Sequence, residues 1–198
     1  MATSTTKTLD DLFLDTLKDI YFAEKQILKA LPKMARAAQS EEGKAGFLLH
    51  RDETQAQIER LDQVFELLGK PARGKTCEAI QGIIAEGEEI MEEFKGSPAL
   101  DAGLISSAQA VEHYEIARYG TLIAWANQLE MSEAADLLTG SLEEEKAADE
   151  KLSGSARTSA AAPAKENNRI VLNMMTIPFD RNLRAARIHM AQGLASSR

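Results

Sequence analysis

The stretch LISSAQAVEHYEIARYGTLIAWANQL, residues 104–129, decides the fold of this 198-residue chain. Read at the period of an α-helix, it forms one stripe with apolar residues at both ends and two carboxylates, Glu112 and Glu115, in the middle. An ionised carboxylate on a core-facing stripe is strongly destabilising unless another charge compensates it. The stretch therefore predicts a buried helix whose two inward-facing acids are compensated by another charge.

Three further segments interrupt an apolar helical stripe in the same way. They lie at residues 9–31, 47–64 and 138–152, and few cationic residues share their stripes. Because side chains of the same sign would repel one another in a core, we expect metal ions to supply the counter-charge. The residues at the interrupted positions of these segments are Glu24, His50, Glu53, Glu145 and Asp149.

Cap residues and chain breakers divide the sequence into helices and leave no strand pattern of any length. Short loops join the first two long helices and the last two, so each pair is expected to form an antiparallel hairpin. An 18-residue helix in the connection between the hairpins would span roughly 27 Å, the length of a bundle. We predict an all-α, ferritin-like four-helix bundle of two antiparallel hairpins with a long helical crossover and a C-terminal tail. The predicted helices span 8–38, 41–68, 77–95, 98–130 and 132–154.

The acids of the two hairpins lie at matched depths. Glu24 and Glu53 stand on either side of the first turn, each roughly 20 Å from it by helical rise. Glu115 and Glu145 are likewise equidistant from the second turn. Hairpins built in this way bring four carboxylates into one layer at the centre of the bundle. The alternative is that the stripes are wrongly rotated and that these acids are exposed.

The end of the chain differs in character from the rest. We divide the sequence into a bundle at 1–154 and a linker with a basic tail at 155–198. Residues 179–195 of that tail form either a short amphipathic helix or a loosely ordered segment. Residues 157–198 hold seven Arg and Lys against two acids, so the residues before them carry −13 and the whole chain −8. An acidic body argues against direct binding of nucleic acid.

Composition also predicts the cellular compartment of the protein. No stretch approaches the roughly 20 apolar residues that cross a bilayer, so no membrane partner is expected. Cys77 is the single cysteine, which excludes an internal disulfide framework and favours a reducing compartment. The first residues lack the basic-then-apolar pattern of a signal peptide. The expected location is therefore the cytoplasm.

The residue types at the interrupted positions suit iron or manganese. Carboxylates are hard oxygen ligands that bridge cations, and both metals also accept nitrogen. Known di-iron and di-manganese bundles take a Glu-x-x-His pair from each of two helices. Here Ala56 and Ala148 stand where those histidines are expected. His50, one turn before Glu53, either supplies nitrogen to a metal or is an ordinary core histidine.

Neighbouring polar residues are expected to support the ligands. We interpret Gln57 as a hydrogen-bond donor to them rather than as a weak oxygen ligand. Tyr21 and Tyr119 each lie one turn from a stripe glutamate, where a hydroxyl either holds a carboxylate in place or fills the core. Within the run EEE at 143–145, the apolar stripe selects Glu145 as the inward-facing acid.

Five strings together resemble the YciE/YciF stress-protein family, a bacterial ferritin-like family related distantly to rubrerythrin and manganese catalase. The resemblance covers about residues 7–153 and implies a dimeric four-helix bundle with a dinuclear metal centre and induction under stress, but no reaction. It also implies that each of the four long helices contributes one acid to the metal centre, namely Glu24, Glu53, Glu112 and Glu145. Glu115 then matches the extra acid that rubrerythrin-type proteins carry on the same helix as Glu112. The strings are YFAEKQI at 21–27, HRDETQAQIERLDQVFELLGK at 50–70, KTCEAIQGIIAEGEEI at 75–90, VEHYEIARYGTL at 111–122 and LEEEKAADEKL at 142–152.

Two functions of different classes remain open. The first is an oxidoreductase that binds two iron or manganese ions and acts on peroxide, oxygen or ferrous iron. The second is a non-enzymatic helical stress protein that acts by oligomerisation or partner binding, as a homodimer or a higher homo-oligomer. For the first, the expected roles are terminal ligands for Glu24 and Glu112, bridging ligands for Glu53 and Glu145, and a mobile ligand or proton acceptor for Glu115 or Asp149.

Overall fold

The computed structural model describes residues 6–159, which form five α-helices and no strand. The all-helical prediction is confirmed, and most predicted boundaries lie within two residues of the observed ones. The end of the last helix was placed wrongly: it continues past residue 154 because no proline interrupts it and each added residue extends an existing helix without new nucleation. The helices are α1 (Leu9–Ala37), α2 (Glu41–Leu67), α3 (Glu78–Glu93), α4 (Leu100–Gln128) and α5 (Ser132–Ser159).

Side-chain caps fix the beginnings of α1 and α2. Thr8 and Asp11 form a capping box, in which each side chain accepts a hydrogen bond from the other residue's backbone N–H. At the start of α2, the Ser40 hydroxyl oxygen accepts the N–H of Gly43 at 3.2 Å. Asp101, in the first turn of α4, accepts the N–H groups of Gln39 and Ser40, each at 2.8 Å. The beginning of α4 is thereby attached to the turn between α1 and α2.

The four long helices pack around a common core. Helix α1 packs against α2 and α4, and α5 packs against α4 and α2. Helix α3 covers α1 and α4, and the approach to α4 is close at Gly103, where an added Cβ would lie 2.6 Å from Ile90. Fully buried residues such as Leu17, Leu61 and Leu122 fill the interior. All four long helices therefore direct side chains into one central space.

The structure also bears on membrane spans and on the C-terminal tail. In the described part of the chain, no helix combines the length and apolarity that crossing a membrane requires. The predicted tail helix at 179–195 lies outside the described residues. The division of the chain between residues 154 and 155 stays a prediction.

Candidate metal centre

Four carboxyl groups lie buried at the centre of the long helices. Glu24 comes from α1, Glu112 and Glu115 from α4, and Glu145 from α5, and none is more than 2% exposed. Both oxygens of Glu115 and of Glu145, and one oxygen each of Glu24 and Glu112, lack a hydrogen-bond partner. Buried polar atoms are normally paired. The stripes predicted from the sequence therefore face inward at these four positions, and the unpaired oxygens are free to bind a cation.

One histidine nitrogen completes the cluster. His50, Glu112, Glu115 and Glu145 each offer a ligand atom, and these atoms lie within 4.8 Å of one another. His50 Nδ1 is 3.5 Å from Glu112 Oε1, and its Nε2 is buried without a partner. Burial lowers the pKa of His50 to about 4, so the imidazole is neutral at pH 7. A neutral imidazole keeps a lone pair with which to bind a metal.

Burial raises the pKa of all four glutamates, and neighbouring carboxylates raise the pKa of Glu24, Glu112 and Glu115 further. The acids lie as two neighbouring pairs, Glu24 with Glu115 and Glu112 with Glu145, and a ligand atom of Glu115 is also within 4.8 Å of those of Glu112 and Glu145. Without a cation, Glu24, Glu112 and Glu115 hold protons at neutral pH because ionisation would place like charges together in the core, while the pKa of about 7 leaves Glu145 partly ionised. A bound cation reverses this preference, because metal ligands must be deprotonated. The donor set thus fits hard or borderline divalent ions.

A tyrosine holds one of the acids in place. The Tyr119 hydroxyl, fully buried, donates a hydrogen bond to Glu24 Oε1. Tyr21 follows the other alternative: its side chain lies in the core, and its hydroxyl donates to Asp62 Oδ1 at 2.7 Å and accepts a hydrogen bond from Lys25. Tyr21 lies on the flank of α1 that faces α2, so it stabilises that pair of helices and does not touch the cluster.

Two predicted ligands lie at the edge of the cluster rather than in it. The Glu53 side chain is 28% exposed and the Asp149 side chain is 25% exposed. Glu53 does not join the group of convergent ligand atoms because Thr54 takes the inward position, about one helical turn after His50. On α5 the inward positions are Glu145 and Ala148, which turns Asp149 toward His113 Nε2 at 3.3 Å.

A polar network missed in the sequence surrounds the cluster on the side of α2 and α5. Arg60 donates to both oxygens of Glu144 and, at 3.0 Å, to Ser141 Oγ. Gln57 Nε2 donates to Glu144 Oε2 at 3.1 Å, so Gln57 is a donor, although to the neighbour of Glu145. Arg60 lies one turn after Gln57, a spacing that could have placed it on the same face.

Residues 8–165 match the family model described as a domain of unknown function, DUF892. The chain belongs to the DUF892 family. Among DUF892 relatives, Protein YciF of Escherichia coli (strain K12) is 48% identical over 147 residues, which span 74% of this chain and 89% of YciF. The resemblance to YciF-type proteins drawn from the five strings is confirmed.

Solved structures agree with this assignment of the chain to DUF892. The crystal structure of the E. coli stress protein YciF superposes with a TM-score of 0.77 at 45% identity and covers 80% of this chain and 100% of YciF. YcfI from Rhodopseudomonas palustris, proposed to be a structural protein, gives a TM-score of 0.73 at 50% identity, with 77% and 98% of the two chains covered. The all-helical fold and membership of the YciF-type family are therefore established for this DUF892 protein.

Proposed function

We propose that this protein is a ferritin-like four-helix bundle that binds two iron or manganese ions and acts on peroxide, oxygen or ferrous iron. The observation that carries the proposal is the convergence of four buried carboxyl groups and a neutral histidine whose ligand atoms lack partners. No buried lysine or arginine lies among the described residues to compensate these acids. A purely structural core would gain stability by replacing such groups with apolar residues.

The two carboxyl pairs suggest two cation positions. The pair Glu112 and Glu145, with His50 beside it, would hold one ion, and the pair Glu24 and Glu115 would hold the other. This assignment replaces the bridging role expected of Glu53 with a nitrogen ligand from the same helix. Sites with one imidazole and several carboxylates are accepted by both iron and manganese.

Iron or manganese, when bound, supplies the one-electron redox steps that amino-acid side chains do not provide at neutral pH. The protein's own contribution is to exclude water, to fix its ligands and to manage protons. Apolar side chains surround the acids, and the Tyr119 hydroxyl orients Glu24. Asp149, partly exposed and next to His113, is placed to exchange a proton with solvent, and Glu115 has both oxygens free to shift.

The cellular setting follows from the sequence. We propose a cytoplasmic homodimer or higher homo-oligomer, whose partners are metal ions and a small oxidant. The lone Cys77, which is buried and free, suits a reducing compartment. The acidic body suits cations better than nucleic acid.

A second candidate function is a non-enzymatic helical stress protein that acts by oligomerisation or by binding a partner. The similarity to YcfI, which is proposed to be a structural protein, favours it. In that case protonated carboxyl groups would occupy the core, and any metal would be structural or absent.

Metal content separates the two functions. The full chain is purified from cells grown with iron and manganese, and metal per chain is measured by mass spectrometry. About two ions per chain are expected, as in other two-metal sites, with loss in a Glu115→Gln, Glu145→Gln double variant. The matched control is Glu143→Gln, which replaces an exposed acid on α5, two residues before Glu145, and should retain the metal. Metal-free protein with an unaltered melting temperature on addition of Fe²⁺ or Mn²⁺ would favour the structural function.

A further inference from the structure

The exposure of polar side chains falls in steps from one surface of the protein to the cluster. The side chains of Glu53, His50 and Glu112 are 28%, 9% and 3% exposed, in that order. His50 Nδ1 lies 4.0 Å from Glu53 Oε2 and 3.5 Å from Glu112 Oε1. Glu115 and Glu145, beyond Glu112, are fully buried. These residues form a continuous series of ligand atoms from solvent to the centre.

Glu53 has the properties of a residue that meets the ion first. Its carboxylate is outside the group of convergent ligand atoms, and it remains in contact with water, where a hydrated cation can approach. His50 is buried, neutral and carries an unpaired Nε2, so it offers a ligand atom without repelling a cation. The ring whose Nδ1 lies 4.0 Å from the partly exposed Glu53 thus carries a buried Nε2 without a partner, and such an unsatisfied atom is available to a cation that enters past Glu53.

We propose that divalent metal ions reach the cluster past Glu53 and His50, with the Glu53 carboxylate capturing the hydrated ion at the surface and His50 and Glu112 receiving it. This inference rests on the proposed metal centre. It assigns to Glu53 an uptake role in place of a resident-ligand role. Because an acid at the opening of a low-dielectric site concentrates cations, its removal slows binding more than it weakens the final complex.

A second acid near the cluster offers the competing route. Asp149 is also about a quarter exposed, at 25%, and lies close enough to raise the pKa of Glu112. Its Oδ1 lies 3.3 Å from His113 Nε2, which is not part of the cluster, and accepts no hydrogen bond from the described residues. Glu53 Oε2, in contrast, lies 4.0 Å from Nδ1 of His50, which belongs to the cluster, and this proximity favours the Glu53 route.

Removing the positive charge of Lys151 would change the charge at the same opening in the direction opposite to the removal of Glu53. Burial raises the pKa of Glu53 and lowers that of His50, and the ammonium group of Lys151 opposes the first shift and adds to the second. A positive charge there repels an incoming cation, so its removal is expected to speed uptake. A structural role for these residues would not produce opposite effects on rate from two surface substitutions.

The test is a stopped-flow measurement in which the metal-free full chain is mixed with Co²⁺ and the visible absorption of bound cobalt is followed. Cobalt per chain is then measured after gel filtration. Glu53→Gln is expected to slow uptake about tenfold, within the range of electrostatic steering, and to leave the final cobalt content unchanged. Lys151→Gln is expected to accelerate uptake. Asp52→Asn, with a side chain 66% exposed and paired with Arg51, removes the same charge next to Glu53 and should take up cobalt at the wild-type rate.

Three outcomes would overturn the uptake route. Glu53→Gln could bind cobalt at the wild-type rate, Asp149→Asn could slow uptake as much as Glu53→Gln does, or Glu53→Gln could lose bound cobalt, which would make Glu53 a resident ligand. If the wild-type chain bound no cobalt at all, the metal centre itself would be refuted, a result distinguishable from all three.

Discussion

Substituting Glu115 by glutamine should stabilise the metal-free protein at alkaline pH. Glu115 is fully buried, both of its oxygens lack partners, and burial together with Glu145, Glu24 and Glu112 raises its pKa well above 4.5. Above pH 4.5 the unfolded chain releases this proton while the folded chain keeps it. The free energy of unfolding therefore falls as pH rises, by about 1.4 kcal/mol per pH unit for each retained proton.

The window from pH 7.0 to 8.5 isolates this effect. His50, with its pKa lowered to about 4, works in the opposite direction, but above its unfolded value of 6.5 its effect fades, because the unfolded imidazole is about three-quarters neutral at pH 7.0 and almost fully neutral at pH 8.5. Over this window the wild type without metal should lose about 1.4 kcal/mol per pH unit or more. Glu115→Gln should reduce that slope by about 1.4 kcal/mol per pH unit, because one titrating group is gone.

The assay is urea unfolding followed by circular dichroism in the presence of a chelator, at three pH values in the window. Glu143→Gln, which removes an exposed acid from α5, is the matched control and should keep the wild-type slope. A wild-type stability that is constant or rises with pH, or a Glu115→Gln slope equal to that of the wild type, would refute the buried, protonated cluster.

Three further predictions concern the surroundings of the cluster. Tyr119→Phe removes the hydrogen bond to Glu24 and should weaken Mn²⁺ binding about tenfold, measured by calorimetry; unchanged affinity would mean that the hydroxyl does not position the ligand. Arg60→Met leaves the partly buried Glu144 without a cationic partner and should lower the free energy of unfolding by about 1 kcal/mol in urea titrations, whereas an unaltered midpoint would contradict this. In the wild type without metal, the stabilising contribution of His50 is lost as pH falls from 6.5 toward about 4, which opposes the gain from the buried carboxyl groups over the same range. His50→Gln should therefore make the free energy of unfolding fall more steeply as pH rises from 4.5 to 6.5, by up to about 1.4 kcal/mol per pH unit; an unchanged slope would show that the imidazole is not buried in its neutral form.

Helical periodicity was sufficient to place most of the cluster. Glu112, Glu115 and Glu145 stand in stripes whose apolar members pack in the core, so the burial of the apolar residues carries the acids inward. The same periodicity chose Glu145 from a run of three acids, and Glu145 is the buried one. The amphipathic pattern and the caps likewise predicted the five helices, since both are local properties of the sequence.

The residues whose orientation periodicity could not decide lie at the edges of stripes. A period of 3.6 residues puts the inward line of α2 between Glu53 and Thr54, and only the packing against neighbouring helices decides which one is buried. Tyr21 illustrates the same limit, because its side chain is buried and only the packing of α1 against α2 decides that its hydroxyl reaches Asp62. Arg60 was missed because its partner, Glu144, is on another helix, and pairing across helices is not visible in the local sequence.

The most direct test of the metal centre is anomalous diffraction from crystals of the full chain grown with Mn²⁺. Two anomalous peaks are predicted inside the bundle, one among His50, Glu112 and Glu145 and the other between Glu24 and Glu115. Well-ordered crystals that show these carboxyl groups buried and hydrogen-bonded to each other, with no anomalous peak among them in saturating Mn²⁺, would contradict the proposal and leave a protonated structural core.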